Sequence, residues 1–284
     1  MKNKADFIAE VGSNHNLSLK RCYKIISEAK NSGATAVKFQ HFKLEKLFSP
    51  KAKNYKKIAK EIKKRELPDT FIPEISNYCK QIGIKFGCTP FDLESVDLLK
   101  EYVDFFKISS YELNWKQLIE KCSKIKKPLI ISTGAANIKD IKKVITILKK
   151  NNHKNYSLLH CVSNYPAKPT DCNLKSIPYL KKIFKCRVGW SDHTKEPLII
   201  YSAIRKFDSE IVEFHFDLDK KGWEFKEGHC WLPHEIKKVI TYLKFEKKID
   251  GEFNKTISKS ELNERKYKAD PSDGLRPLKK VRLK

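Results

Sequence analysis

The segment FFKISSYELNWKQLIEKCSKIKKPLIIS (residues 105–132) decides the predicted fold. It begins with a short apolar run at 105–109, continues with helical periodicity at 115–124, and ends with a second apolar run at 129–132. The two runs predict buried strands, and the periodicity between them predicts an amphipathic helix. Because a strand–helix–strand unit makes a right-handed crossover, the segment predicts two parallel strands of one sheet.

The same alternation repeats eight times along the chain. The predicted strands are 7–11, 36–40, 85–88, 105–109, 129–132, 157–161, 187–190 and 211–216. The predicted helices are 18–31, 70–82, 92–101, 115–124, 137–150, 173–183, 196–206 and 233–248, with one more in the long connection at 43–67. Eight such units close into a (β/α)8 TIM barrel. The alternative is an open doubly wound sheet, but no glycine-rich phosphate-binding turn follows the first strand.

The alternation stops near residue 248. Residues 249–284 are polar, contain Pro271 and Pro277, and offer no apolar face. We therefore expect a barrel domain at 1–248 and an extended C-terminal tail at 249–284 that forms no separate domain.

Composition limits the class of protein. The chain has 284 residues, of which 40% are hydrophobic, and its apolar runs are far shorter than a membrane-spanning helix of about 20 residues. No secretory leader is recognisable at the N-terminus, and the eight cysteines contain no CxxC pair. We expect a cytoplasmic protein with reduced, buried thiols and no contact with membranes.

The net charge of +25 raises the question of nucleic-acid binding. Only seven of the 59 basic residues are arginine, and the lysines are spread along predicted helix faces. Recognition of nucleic acids favours arginine, so we expect no nucleic-acid partner and a general attraction for anionic metabolites. A basic RNA-associated protein is kept as a rival hypothesis.

Polar residues gather where the predicted strands end. In a barrel of this type the carboxyl ends of the strands form the mouth of the active site. The candidate site residues at these ends are Glu10, Lys38, Gln40, Thr89, Lys107, Ser110, Glu112, Ser132, Ser163, Asn164, Tyr165, Ser191, His193, Glu213 and His215.

Two lysines, Lys38 and Lys107, lie inside strand patterns, where a buried ammonium group needs an anion beside it. One interpretation is a structural ion pair with Glu10 or Glu213. The other is a site for phosphate and carboxylate groups, formed by the lysines with neighbouring hydroxyls. Those hydroxyls belong to Thr89, Ser110, Ser132 and Ser191.

Two histidines on adjacent predicted strands, His193 and His215, could bind one metal ion. A single histidine would more often be a satisfied core residue. Two imidazoles beside carboxylates, without a cysteine cluster, indicate an open site for Mn²⁺ or Mg²⁺ rather than a closed zinc site. The roles of His15, His160, His229 and His234 stay undecided.

The strand-end strings resemble the sialic acid synthases. They are IAEVGSNHN (8–16), AVKFQ (36–40), GCTPFDLESVDLL (87–99), FKISSYEL (106–113), PLIISTGAA (128–136), LLHCVSNYPA (158–167), VGWSDHT (188–194) and VEFHFDLD (212–219). They follow the family's order and cover about 8–248. Members of the family condense phosphoenolpyruvate with an N-acylated hexosamine, such as N-acetylmannosamine or a 6-deoxy diacetamido hexose. The products are a nine-carbon nonulosonic acid and phosphate.

The resemblance implies roles for the matching residues. Phosphoenolpyruvate would be held by Lys38, Thr89, Lys107, Ser110, Ser132 and Ser191. His193 and His215 would bind the metal. The reacting atoms and the sugar would face Glu10, Gln40, Glu112, Tyr165 and Glu213. The expected catalytic residues are Glu10 and Glu213 together with the two lysines, Lys38 and Lys107. The family's phosphate-binding asparagine matches Ser163, with Asn164 one residue later. A homodimer is also implied.

Two departures from the family pattern affect the sugar end of the site. Residues 222–231 replace a Pro-Gly-Pro-Asp turn, so the acceptor sugar is expected to differ. The tail at 269–284 stands where family members carry an antifreeze-like domain, which supplies an arginine to the sugar. We expect Arg276 to take that role, the alternative being a frayed basic terminus.

Three other functions stay open. One is another phosphoenolpyruvate-dependent 3-deoxy-aldulosonate synthase, or a lyase, on the same scaffold. The second is a catalytically inactive barrel that binds sugar phosphates. The RNA-associated protein is the third, and binding that weakens steeply with salt would identify it.

Overall fold

The computed structural model describes residues 5–283, without the side chain of Lys247. Within this range eight parallel strands form a closed barrel in sequence order, and the first strand pairs with the last. The strands are Asp6–Gly12 (β1), Ala36–His41 (β2), Lys85–Pro90 (β3), Phe105–Ile108 (β4), Leu129–Ser132 (β5), Tyr156–Cys161 (β6), Arg187–Asp192 (β7) and Ile211–His215 (β8). The predicted (β/α)8 TIM barrel is confirmed, and pairing of β1 with β8 excludes the open sheet.

Helices alternate with the strands and continue beyond the last of them. They are Leu19–Asn31 (α1), Leu44–Leu47 (α2), Tyr55–Ile62 (α3), Phe71–Ile82 (α4), Leu93–Leu99 (α5), Lys116–Lys124 (α6), Ile138–Lys150 (α7), Ser176–Phe184 (α8), Pro197–Arg205 (α9), Pro233–Ile249 (α10) and Lys279–Arg282 (α11). The eight crossover helices agree with the predicted ranges to within three residues. The long second connection differs, because it forms both α2 and α3 where one helix was predicted.

Local sequence signals explain where several helices begin. The side chain of Ser18 accepts a hydrogen bond from the Arg21 amide at the start of α1. At α7, Asn137 and Asp140 form a reciprocal capping box. Such caps satisfy amide groups that a helix leaves unpaired, so they fix the first turn at a defined residue.

The barrel interior has an apolar layer near the amino ends of the strands. Its buried residues are Ile8, Ala36, Phe105, Ile130, Leu159 and Ile211. Gly87 makes room for this layer, because a Cβ atom there would lie 2.1 Å from the Phe105 ring. Side chains two positions apart on a strand share a face, so the next inward position on each strand lies nearer the carboxyl end.

The chain divides into two compact units, one ending at Lys244 and the other beginning at Phe245. The second unit, where an extended tail was predicted, contains short 3₁₀ turns and α11. Asp270 organises part of it by accepting hydrogen bonds from the amides of Ser272 (3.0 Å) and Lys279 (2.6 Å).

The cysteines are free thiols, all buried except the half-buried Cys186. No helix among residues 5–283 is both long enough and apolar enough to cross a membrane.

Candidate active site

A cavity of about 570 Å³ opens among the carboxyl ends of the strands. Thirteen of the candidate site residues line it, namely Glu10, Lys38, Gln40, Thr89, Lys107, Ser110, Glu112, Ser132, Tyr165, Ser191, His193, Glu213 and His215. Strand periodicity explains the agreement, because each strand-borne candidate lies on the face that also carries the apolar layer.

The first charged pair in the cavity joins β1 to β2. Glu10 and Lys38 are register partners, and their side chains form a buried ion pair. Lys38 also donates to Thr89 Oγ1 at 3.0 Å, and Gln40 Nε2 donates to Glu10 Oε1 at 2.8 Å. Burial raises the pKa of Glu10, and Lys38 offsets this only in part. The neighbouring carboxylates outweigh burial at Lys38 and raise the pKa of its ammonium group.

The second charged pair joins β4 to β8. Lys107 Nζ lies 3.6 Å from Glu213 Oε1 and donates to Ser132 Oγ at 2.6 Å. Ser191 Oγ donates to Glu213 Oε1 at 3.3 Å. Burial lowers the pKa of Lys107. At Glu213 burial acts to raise the pKa, but the charges of the two lysines outweigh it and the pKa is lowered.

The ion pairs of the first interpretation are present, and the hydroxyls of the second lie beside the same lysines. Each lysine is in an ion pair, and each also contacts a hydroxyl on the cavity wall. An anionic substrate placed among these hydroxyls would find both ammonium groups within reach, already desolvated and held in place.

A small polar recess beside Ser110 involves Ser163 but not Asn164. The Gly134 amide donates to Ser110 Oγ at 3.0 Å, and a Cβ atom on Gly134 would lie 2.2 Å from Ser163 Oγ. That Ser163 oxygen is buried without a hydrogen-bond partner, although Ser163 does not line the cavity. Asn164 is exposed, and its Oδ1 accepts from the Tyr165 amide at 3.1 Å. The structure does not bring the Asn164 side chain to the cavity.

The last predicted residue, Arg276, belongs to the second compact unit. Its role toward the sugar stays a prediction.

The geometry of His193 and His215 fits a divalent metal. Their ring centroids are 5.4 Å apart. His193 Nδ1 donates to the Val162 carbonyl at 2.7 Å, and His215 Nδ1 donates to Glu224 Oε2 at 2.9 Å. With Nδ1 held by an acceptor, each ring keeps Nε2 free for a metal, which is the usual arrangement of metal-binding histidines. Burial and the charge of His215 lower the pKa of His193 to about 3, so this ring is neutral.

The carboxylate that orients His215 comes from a loop. Glu224 accepts hydrogen bonds from the Ser13 amide (2.7 Å), from Ser13 Oγ (2.8 Å) and from His215. Burial acts to raise its pKa, but these donors outweigh burial and lower the pKa to about 2. Burial would lower the pKa of His215, yet the hydrogen bond and charge of Glu224 raise it.

Sequence reasoning missed two groups of cavity residues. Glu224 and His229 line the cavity from the segment 222–231, and Arg65 lines it from the second connection, 3.3 Å from Glu227. The signal for the first group was present, since 222–231 is the stretch that departs from the family pattern. Arg65 lies in a lysine-rich stretch with no distinguishing pattern.

The other undecided histidines do not line the cavity. His160 Nε2 donates to the Cys172 carbonyl at 2.8 Å, His15 Nδ1 accepts from the Leu17 amide at 3.1 Å, and His234 is exposed.

A model of the NeuB family matches residues 25–255, which include seven of the eight strands. The chain belongs to the NeuB family. This membership agrees with the resemblance to the sialic acid synthases.

Similar proteins cover most of this NeuB-family chain. An N,N′-diacetyllegionaminic acid synthase of Campylobacter jejuni is 39% identical over 267 residues, covering 89% of this chain and 80% of that protein. An N-acetylneuraminate-9-phosphate synthase of Homo sapiens is 30% identical, covering 90% and 74%. The crystal structure of an N-acetylneuraminic acid synthetase from Leptospira borgpetersenii, bound to citrate, superposes with a TM-score of 0.81 at 30% identity and covers 93% and 90%.

Proposed function

We propose that this protein condenses phosphoenolpyruvate with an N-acylated hexosamine and water to give a nonulosonic acid and phosphate. The observation that carries the proposal is the cavity, in which two buried lysines with hydroxyl partners lie beside two histidines suited to a metal. Of the two expected acceptors, the 39% identity to a diacetyllegionaminic acid synthase favours the 6-deoxy diacetamido hexose over N-acetylmannosamine.

Phosphoenolpyruvate binds between Lys38 and Lys107. Its phosphate and carboxylate take hydrogen bonds from the two ammonium groups and from the hydroxyls beside them. Glu10 and Glu213 then share the two lysines with the substrate. This arrangement fixes the enol carbon before the sugar reacts.

His193 and His215 hold a divalent metal, Mn²⁺ or Mg²⁺, which supplies Lewis-acid polarisation of the open-chain sugar aldehyde when bound. Val162 and Glu224 keep the two imidazole rings in the required orientation through their Nδ1 hydrogen bonds. Gln40, Glu112 and Tyr165 face the sugar from the cavity wall.

The two carboxylates have different tasks. The enol π electrons form a new bond to the aldehyde carbon, whose C=O π pair moves onto its oxygen as an alkoxide, leaving positive charge at C2 of the former enol. Glu213, whose pKa is lowered, stays ionised and stabilises that charge. Glu10, whose pKa is raised, takes a proton from the water that adds at C2. Phosphate, held by the lysines, then leaves by cleavage of the C2–O bond, and the C2 hydroxyl gives its proton to the departing phosphate as the ketone forms. The proton taken by Glu10 passes to the alkoxide derived from the aldehyde.

The cellular setting forms part of the proposal. Free thiols within the described chain suit the reducing cytoplasm, where we place the reaction. The expected homodimer stays a prediction that analytical ultracentrifugation tests.

The experiment is incubation of the purified protein with Mn²⁺, phosphoenolpyruvate and a panel of N-acylated hexosamines, read by mass spectrometry and phosphate release. A nonulosonic acid formed with equal release of phosphate supports the proposal. Turnover only with aldoses that lack an N-acyl group would indicate a 3-deoxy-aldulosonate synthase. Binding without turnover would indicate an inactive sugar-phosphate-binding barrel.

A further inference from the structure

The segment 222–231 forms a loop after β8 whose two ends are held together by hydrogen bonds. The Trp231 amide donates to the His215 carbonyl at 2.8 Å, and the Asp217 amide donates to the Trp231 carbonyl at 3.0 Å. The start of this loop is also fixed, because the Gly222 amide donates a hydrogen bond to Asp217 Oδ2 at 3.2 Å. The chain thus leaves β8 and returns beside it, which places His229 next to His215.

Three imidazole rings surround one part of the cavity. The ring centroids are 4.4 Å apart for His215 and His229, 5.4 Å for His193 and His215, and 6.3 Å for His193 and His229. The Tyr165 ring packs against all three, with centroid distances from 4.2 to 5.9 Å. All four side chains line the cavity, so the imidazoles face a common space.

His229 has a free nitrogen in a buried position. The residue is 1% exposed, and its Nδ1 atom has no hydrogen-bond partner. A buried polar atom without a partner destabilises a protein unless a ligand or an ion meets it. A metal ion beside His193 and His215 would satisfy this nitrogen.

The neighbouring side chains leave His229 as the additional ligand. One ligand atom each of His215, Glu224, His229 and Cys230 lie within 4.8 Å of one another. The Glu224 oxygens already accept hydrogen bonds from Ser13 and His215. Cys230 does not line the cavity, and its Sγ accepts a hydrogen bond from Asn14 Nδ2 at 3.5 Å.

We propose that His229 is a third imidazole ligand of the metal site, and that the site therefore selects a transition-metal ion over Mg²⁺. Imidazole nitrogens suit ions such as Fe²⁺, Ni²⁺ and Zn²⁺, whereas Mg²⁺ prefers oxygen ligands and retained water. The inference rests on the proposed function only for the assignment of His193 and His215.

The test is metal binding to the chelator-treated protein. Mn²⁺ is titrated and the free ion is followed by electron paramagnetic resonance, for the wild type and for His193→Ala, His229→Gln, Cys230→Ser and His234→Gln. His229→Gln should weaken Mn²⁺ binding at least about 10-fold, as should His193→Ala. Cys230→Ser and His234→Gln, which alter a buried neighbour and an exposed histidine, should bind Mn²⁺ within about twofold of the wild type. Competition with Mg²⁺ should show that the wild type binds Mn²⁺ more tightly than Mg²⁺. The ratio of the two affinities should be smaller in His229→Gln.

Electron spin-echo envelope modulation of Mn²⁺ on the wild type counts the imidazole ligands directly, and so decides the matter even if His229→Gln fails to fold. Three imidazole couplings support the proposal. Two couplings, wild-type affinity in His229→Gln, or a loss of affinity in Cys230→Ser alone would overturn it. Because these readouts require no turnover, normal condensation with a two-imidazole spectrum would reject only this inference. A three-imidazole spectrum without condensation would reject only the proposed function.

Discussion

Four buried charges of the cavity each lie two positions after an apolar residue on the same strand. Glu10 follows Ile8, Lys38 follows Ala36, Lys107 follows Phe105, and Glu213 follows Ile211. Because alternate side chains share a face of the strand, the apolar residue packs in the barrel and the charged one reaches the cavity. The cost of burying each charge is reduced by an oppositely charged partner on another strand.

Replacement of Lys107 by methionine tests its proposed contact with phosphoenolpyruvate. The methionine keeps much of the side-chain length but loses the ammonium group, so we expect KM for phosphoenolpyruvate to rise or kcat to fall by about 100-fold. Steady-state kinetics provide the measurement, with the exposed Lys139→Met as control. Unchanged kinetics would leave Lys107 as a structural partner of Glu213.

Replacement of Glu10 by glutamine tests its proposed role as a proton acceptor. The carboxyl group accepts a proton only when ionised, so wild-type kcat should fall as the pH drops through its raised pKa. Glu10→Gln should lower kcat by about 10²–10⁴-fold and remove this acidic limb of the pH profile. A variant that keeps both kcat and the acidic limb would assign the proton transfer elsewhere.

Strand periodicity predicted most of the cavity but not its loops. It identified Lys38 and Lys107 because an ammonium group inside an apolar strand pattern is stable only with an anion beside it. It could not identify Glu224 or His229, since their loop has no period from which the direction of a side chain follows. Asn164 was wrongly placed for the same reason, since it is adjacent to cavity residue Tyr165 in sequence yet exposed.

At the level of elements, the end of β1 depends on a glycine. Gly12 has φ of +52°, and a Cβ atom there would lie 2.1 Å from Glu224 Oε1. Gly12→Ala should therefore displace Glu224, release His215 from its hydrogen bond, and lower the free energy of unfolding by about 1–3 kcal/mol. Urea unfolding and Mn²⁺ affinity are the measurements.

Gly251→Ala is the matched control for Gly12→Ala. Gly251 has a similar φ of +60°, but the nearest atom to its added Cβ would be 3.9 Å away. Gly251→Ala therefore introduces the same backbone strain but no steric clash with a neighbouring side chain. Equal effects of the two substitutions would mean that Glu224 is not displaced.

The elements were predicted unequally well. The strands and crossover helices have clear apolar faces, so their bounds follow from the residue pattern. The second connection does not, because α3 has no buried residue and is rich in lysine. Without an apolar face, periodicity could not separate α2 from α3.

For the whole molecule, buried neutral histidines predict a loss of stability in acid. Burial lowers the pKa of His15 to about 4 and lowers the pKa of His160. In the unfolded chain both have a pKa near 6.5, so below that pH the unfolded state binds more protons than the folded state. Each histidine should then remove up to about 1.4 kcal/mol of stability per pH unit as the pH falls.

Urea unfolding of the metal-free protein between pH 7.5 and 5 tests this expectation. The free energy of unfolding should decrease with falling pH, and His15→Asn should flatten the dependence. A stability that is independent of pH over this range would contradict it.

The C-terminal tail gives a further prediction at this scale. If Arg276 supplies a bidentate donor to the sugar, Arg276→Ala should raise KM for the acceptor by at least about 10-fold and leave KM for phosphoenolpyruvate unchanged. Arg282→Ala, which removes the partner of Asp273, is the control. If truncation after Lys268 left kcat and the acceptor KM unchanged, the predicted role of Arg276 would be wrong.

The seam between β1 and β8 has a consequence for biosynthesis. Ser13 bonds to Glu224, 211 positions later in the chain, and Glu10 lies opposite His215 across the β1–β8 pairing. On the ribosome β1 emerges first. It cannot pair with β8, or contact the loop after β8, until those segments have been synthesised. Contacts between such distant segments form late in folding. Interrupted translation products that end before β8 would therefore carry Lys38 and Lys107 but no assembled histidine cluster, and chemical competence would arise only with the finished barrel.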